Sequence, residues 1–357
     1  MRALQMHAGP AALKALRERG LSPAEVRIIP AAAGGPKGLV LNPLDRFIFG
    51  EWLAGSHHSV HLLGASIGAW RMATACLADP AVRFAEMAED YITQDYEHAP
   101  GKPPAPRHVS EVFDAKLRER FDDHLPEVLA HPRYRLHVFT SRGRHLLRRE
   151  GRLRTPLGYA GAFLTNTVSR KAMGGWLERV IFSDLREPLP LSLRDYRTQQ
   201  VPLNAQNLRP SILASCSIPF WLDAVQDIPG GPAGAYWDGG ITDYHLHLNY
   251  GAMAEGLVLY PPFQKTVIPG WLDKALKHRH RASAHLDNVV LLSPRPEWIA
   301  TLPHAKLPDR NDFKAYGDDL RSRVAAWRRA VAESQRLADE FARAVTSGRP
   351  IEAQPLV

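Results

Sequence analysis

A chain of 357 residues that is 45% hydrophobic and 23% charged is long enough for one large domain or two ordinary ones, and its make-up excludes extended disorder. Two cysteines, Cys76 and Cys216, build neither a disulfide framework nor a zinc site, which points to a reducing compartment. The charge is basic, 45 Lys+Arg over 37 Asp+Glu.

Residues 9 to 19 read as a short helix closed by Gly20, and the N-terminal MRALQMHAGPAALKALRERG, with charges scattered through it, lacks the unbroken apolar stretch of a signal peptide. No run of about 18 apolar residues predicts a membrane span, so a cytoplasmic location with at most a peripheral membrane contact is expected. Val26 to Pro30 reads as a buried strand running into the glycine-rich turn AAAGGPKG. Leu39 to Leu53 has apolar residues at helical spacing with Pro43 near its start, and Ser59 to Gly64 is a second buried strand. Ile67 to Ala78 is helix-like. Strand, glycine turn, helix, strand, serine turn, helix is the rhythm of a parallel α/β sheet.

The proline-rich His98 to His108 reads as an extended loop, and further strands are expected at Arg135 to Thr140, Gly256 to Tyr260 and Asn288 to Leu292. Between Arg133 and Arg154 eight arginines stand against one acid, Glu150, and the apolar Leu157 to Leu164 follows. That pairing suits an anionic membrane surface better than nucleic acid, for which the segment has few aromatics and no recognised module. From Phe313 to Phe341 apolar residues recur every three or four positions, so the chain is expected to end in a long helix packed on its own domain.

Three short stretches carry chemistry. Gly64-Ala65-Ser66-Ile67-Gly68 matches the G-x-S-x-G elbow, in which a serine sits on a tight strand-to-helix turn and small neighbours relieve crowding. Gly34-Gly35-Pro36-Lys37-Gly38 follows the first strand, where successive backbone N–H groups can cradle a developing oxyanion. It is not a Walker loop, because Lys37 is followed by Gly38 and Leu39, and neither glycine turn supplies a dinucleotide fingerprint. In YWDGGITDY, Asp238 precedes Gly239 and Gly240, which presents a carboxylate on a tight turn or, alternatively, closes a hairpin.

Together with Leu213-Ala214-Ser215-Cys216-Ser217-Ile218-Pro219-Phe220, these motifs resemble, in their order, the patatin-like phospholipase family. The resemblance runs from about residue 26 to 250 and implies a three-layer α/β/α sandwich with a mostly parallel central sheet. It divides the chain into a helical lead-in (1–25), a catalytic domain (26–260) and a C-terminal extension (261–357). It implies a lipid acyl hydrolase with an acyl-serine intermediate, phospholipid or another lipid ester as substrate, and neither metal nor cofactor. Ser66 would be the nucleophile and Asp238 its base without a histidine, with Ala33, Gly34 and Gly35 as oxyanion donors. Gly38, Gly64, Gly68, Gly239 and Gly240 would shape the turns, and Lys37 would orient the loop or meet an acidic head group. The chain departs from the family in having Ala33 where a third glycine is usual, and in continuing Ile241-Thr242-Asp243 after the glycines. Two other readings remain: an α/β-hydrolase triad using a histidine among 245, 247, 278, 280, 285 and 304, and a scaffold that binds lipid without turnover.

Overall fold

The apolar runs around Ile28 and Leu62 form adjacent strands with almost every residue buried, as strands covered on both faces must be. In the computed structural model, which describes residues 1–99, 102–347 and 350–356, they lie at the centre of one large sheet. In chain order its strands are β1 (Leu4–Ala8), β2 (Val26–Ala31), β3 (Val60–Ala65), β4 (Tyr134–Gly143), β5 (Leu177–Ser183), β6 (Thr198–Pro202), β7 (Val225–Gln226), β8 (Ala235–Trp237), β9 (Leu257–Tyr260), β10 (Val289–Pro294) and β11 (Gln354–Pro355). Their spatial order is β11-β1-β10-β9-β2-β3-β4-β5-β6, with β8 pairing β4 and β7 pairing β8. From β10 to β4 every pairing is parallel; β1 and β5 run antiparallel to their inner neighbours. Helices flank this mostly parallel sheet, giving the α/β/α sandwich.

Local structure follows the sequence closely in places. The first helix is Pro10–Arg19, and Gly20 closes it in the left-handed region at φ 75°. The stretch expected as one helix from Leu39 opens as a tight turn at Gly35–Leu41, becomes α-helical at Asn42–Phe47 and widens at Ile48–Trp52. Of the expected loop at 98–108, residues 100 and 101 lie outside the described residues, and a helix begins at Pro106.

Elsewhere the structure differs. The expected helical lead-in starts with a strand, β1, antiparallel to β10, so both flanking segments are built into the same sheet as the motifs. The expected long C-terminal helix is three helices, Asn311–Tyr316, Leu320–Glu333 and Gln335–Thr346. Gly317 at φ 51° stops the first, and Asp319 caps the second by accepting from the Ser322 N–H at 3.0 Å. Several arginines of the basic stretch are spent inside the fold. Arg133 donates to the Ser56 carbonyl at 2.9 Å, Arg135 pairs with Glu187 at 2.5 Å, and Arg142 pairs with the buried Glu178.

Candidate active site

The pairing registers explain how residues 172 positions apart meet. β3 runs along one edge of β4 until Ala65 stands opposite Phe139. β5 takes the other edge of β4, so β8 continues the β3 edge from the far end, in the opposite direction, with Trp237 opposite Ser141. The two strands therefore point at each other, and Ser66 and Asp238, the next residue of each, converge beside Thr140. The Ser66 hydroxyl donates to Asp238 Oδ2 at 2.6 Å, and both residues are buried.

Each turn is shaped by the glycines around it. Ser66 has φ 56°, a region costly for any residue with a Cβ and usual for a nucleophile on an elbow. A Cβ on Gly68 would lie 1.9 Å from the Ala31 carbonyl oxygen, and one on Gly64 would lie 2.4 Å from the Ala69 Cα. On the partner turn, a Cβ on Gly239 would lie 2.0 Å from the Phe139 carbonyl oxygen. Asp238 does not close a hairpin: a short helix, Gly240–Asp243, starts after it, and the Gly240 N–H donates to Asp238 Oδ1 at 2.7 Å. Both carboxylate oxygens thus have donors.

The run around Ser215 ties the two turns together. Ser215 Oγ accepts from the Ser66 N–H at 2.9 Å and donates to the Phe139 carbonyl at 2.7 Å. The carbonyls of Ser215 and Ser217 accept from the N–H groups of Gly239 and Asp238 at 3.0 and 2.8 Å. Sequence reasoning singled out this run without giving it a role. Behind the elbow, Arg71 makes a bidentate, buried ion pair with Asp45 at 2.7 and 2.8 Å, anchoring the helix Ile67–Ala75.

Of the three expected oxyanion donors, Ala33 is already committed, its N–H donating to the Tyr244 carbonyl at 2.9 Å. Gly34 and Gly35 have no acceptor for their N–H groups among the described residues. Gly34 lines one cavity with Ser66 and Gly35 lines another. Gly35 needs its glycine, having φ 56°. Gly38 packs against the elbow, where a Cβ would sit 3.3 Å from an Ile67 side-chain carbon. Lys37 is half-buried in the cavity wall, its ammonium 5.3 Å from the centre of the Phe263 ring.

Burial drives the Asp238 carboxyl up to about 6; the Ser66 hydroxyl, Arg310, the Gly240 N–H and Lys274 pull the other way. Two spaces open on Ser66, and one of them on Asp238 as well. A cavity of about 220 Å³ includes Lys37, Tyr244, Trp271, Lys274 and Arg310 in its wall. A second, apolar space of about 60 Å³, lined by Ser66 with Trp70, Tyr91 and Phe113, shares Tyr91, Val109, Ile218 and Leu222 with a space of about 140 Å³ that adds Trp221 and Phe313. Lys274 and Arg310 lie outside every motif and were missed by sequence reasoning. Among the described residues no histidine is in the walls of these two spaces around Ser66. His245, the nearest in sequence to Asp238 of those considered for a triad, instead accepts from the Ile268 N–H at 3.0 Å. Among the described residues no group of His, Cys, Asp or Glu side chains is arranged to hold a metal ion, and no helix is long and apolar enough to cross a membrane.

A strained serine at the end of a central parallel strand, hydrogen-bonded to an aspartate on a glycine turn, defines a class of α/β/α proteins with a Ser-Asp pair over the sheet. The chain belongs to the patatin-like phospholipase family, whose model matches residues 56–245, a range holding Ser66, Ser215 and Asp238 but not the 33–38 turn. The family is one of lipid acyl hydrolases. No curated protein matches the chain.

Proposed function

We propose that this protein cleaves carboxylic esters of lipids through an acyl-Ser66 intermediate. The observation that carries the reading is the 2.6 Å hydrogen bond from Ser66 to a buried Asp238 whose carboxyl is raised to about 6. An aspartate at its ordinary value is too weak a base for a hydroxyl; desolvation narrows that gap and leaves the group ionised at neutral pH. Ser66 Oγ attacks the ester carbonyl as its proton passes to Asp238 Oδ2. The oxyanion forms facing the N–H groups of Gly34 and Gly35. Collapse of the intermediate breaks the bond to the alcohol oxygen, which takes the proton from Asp238. Water then attacks the acyl-serine, giving its proton to Asp238, and the second collapse returns that proton to Ser66 Oγ with release of the acid. The apolar space on one side of Ser66 suits the acyl chain.

Hydrolysis of a short-chain nitrophenyl ester by wild type, Ser66→Ala and Asp238→Asn, with circular dichroism confirming the fold of each, tests the reading. Loss of turnover in both variants supports the dyad; an active Asp238→Asn refutes it.

Contact with an anionic membrane belongs to the same reading, through the end of the arginine-rich stretch that follows β4 rather than through the strand itself. The helix Arg154–Val168 turns Thr155, Tyr159, Ala162 and Asn166 inward, while Leu153 just before it and Leu157, Leu164 and Val168 on its outer side are 75%, 62%, 65% and 84% exposed. Arg148, Arg152 and Arg154 beside it are exposed and have no ion-pair partner among the described residues. Asn166, on the inward face of this helix, donates to Asp273 at 2.8 Å and so ties the helix to the segment carrying the cavity residue Trp271. Binding to anionic vesicles that falls in a Leu157→Glu/Leu164→Glu variant supports this contact; binding indifferent to anionic lipid content refutes it.

A further inference from the structure

Lys37, Lys274 and Arg310 line a cavity that holds Ser66 and Asp238 together, and none of the three has an ion-pair partner among the described residues. The cavity's other acid, Asp309, bonds Lys306 Nζ at 3.0 Å and the Asn311 N–H at 2.8 Å, and its charge acts on Lys37 without an ion-pair contact. Three cations facing one catalytic carboxylate leave an excess of positive charge in a partly desolvated space. The Lys274 ammonium responds to it: burial, then repulsion from Lys37 and Arg310, brings it down to about 8. Lys274 is nonetheless seated in the wall, 4.1 Å from the centre of the Tyr244 ring and 5.6 Å from that of Trp271. A cluster of like charges held together against its own repulsion in a cleft marks a candidate site for an anion.

The position of Arg310 gives the site its direction. Arg310 lines the basic cavity and both apolar spaces, so it stands where they meet. It also lies against the oxyanion turn, since a Cβ on Gly35 would sit 3.2 Å from its Nε. With the ester carbonyl at Ser66 and the acyl chain among Trp70, Tyr91 and Phe113, the alcohol portion of the substrate falls in the basic cavity.

We infer that this cavity is a subsite for an anionic group, a phosphate or carboxylate, on the alcohol side of the ester, and that Lys274 and Arg310 select for it. The inference rests on the reading of Ser66 as the nucleophile. Both selecting residues lie outside the segment matched by the family, in the C-terminal part of the chain. Charge-assisted hydrogen bonds from each would strengthen binding of the anion and of the transition state that carries it.

The test compares two soluble lipids with the same acyl chain, a lysolipid with a phosphate monoester head group and a neutral monoacylglycerol. It is run on wild type, Lys274→Met, Arg310→Met and Lys274→Arg. The expected result is a wild-type kcat/KM at least about tenfold higher for the anionic lipid, with that ratio falling about tenfold in each Met variant and recovering in Lys274→Arg. Calorimetric titration of Ser66→Ala with the same lipids reads binding apart from turnover. If wild type cleaves neither lipid while Ser66→Ala binds the anionic one preferentially, the subsite stands and the hydrolytic reading falls. Equal kcat/KM for the two lipids, or Met variants that slow both equally, overturns the subsite. Inhibition by millimolar inorganic phosphate without any preference between the lipids assigns the cations to free phosphate and overturns the head-group inference.

Discussion

Replacing Asp238 with asparagine should abolish ester hydrolysis and stabilise the protein, and both effects should grow as pH rises, because wild-type activity and wild-type stability depend on pH in opposite senses. The carboxyl is raised from 3.8 to about 6, chiefly by burial. At about 1.36 kcal/mol per pKa unit, holding the ionised form in the fold costs about 3 kcal/mol. The sign follows from proton binding. Below the unfolded value of 3.8 the group is protonated in both states and costs nothing. Between 3.8 and about 6 the folded state holds a proton that the unfolded state has released, so stability falls as pH rises; above about 6 the loss is complete. Activity needs the ionised form and so rises over the same window, levelling above about 6. Asparagine keeps the geometry: its carbonyl oxygen accepts from the Gly240 N–H and its amide donates to Ser66 Oγ, which is also an acceptor.

Urea denaturation of wild type and Asp238→Asn across pH 4 to 8 isolates this group, because other titrations cancel in the difference. The difference should be about 0.5 kcal/mol at pH 4 and grow to about 3 kcal/mol in favour of the variant by pH 7. Wild-type kcat/KM should fall about tenfold per pH unit below about 6. A difference that does not change with pH, or a rate profile flat between pH 5 and 7, would refute the assignment of Asp238 as a desolvated base.

Three further outcomes follow from the geometry. Ser66→Ala should lose labelling by an active-site serine phosphonate, with the fold intact by circular dichroism. Gly68→Ala puts a Cβ 1.9 Å from the Ala31 carbonyl and must displace the elbow; a shift near 1 Å should cut kcat about 100-fold, read on the nitrophenyl ester. Asp45→Ala strands the buried Arg71 and should cost about 3–5 kcal/mol in a denaturation curve.

The parts of the site visible in the sequence are those where backbone crowding leaves only one residue type. Gly68 and Gly239 are dictated by carbonyl oxygens that a Cβ would strike, so the motifs containing them survive as strings that can be read. Strand β5 was not read, because its Glu178 and Arg179 break the apolar pattern. Both are fully buried, with Arg179 paired to Asp243 at 2.5 Å and to Asp195 at 2.9 Å. Charge counting failed in the same way for the arginine-rich stretch, since it cannot separate Arg135, paired with Glu187, from the free Arg152. Lys274 and Arg310 carry no local signature, for their placement depends on where the chain returns after β9 and β10 rather than on their neighbours.

In the proposed subsite the same two cations would connect recognition to the base. Arg310 and Lys274 both hold the Asp238 carboxyl below the value that burial alone would give it. An anion lodged between them would offset their field, and Asp238 would become more basic as the substrate that needs it arrives. The free enzyme reports its base in kcat/KM and the loaded enzyme in kcat, so the midpoint in kcat should lie above the midpoint in kcat/KM for the anionic lipid. For the neutral lipid the offsetting charge is missing, and the two midpoints should differ by less. Coincident midpoints for both lipids would separate the cations from the base and leave them, at most, a role in binding.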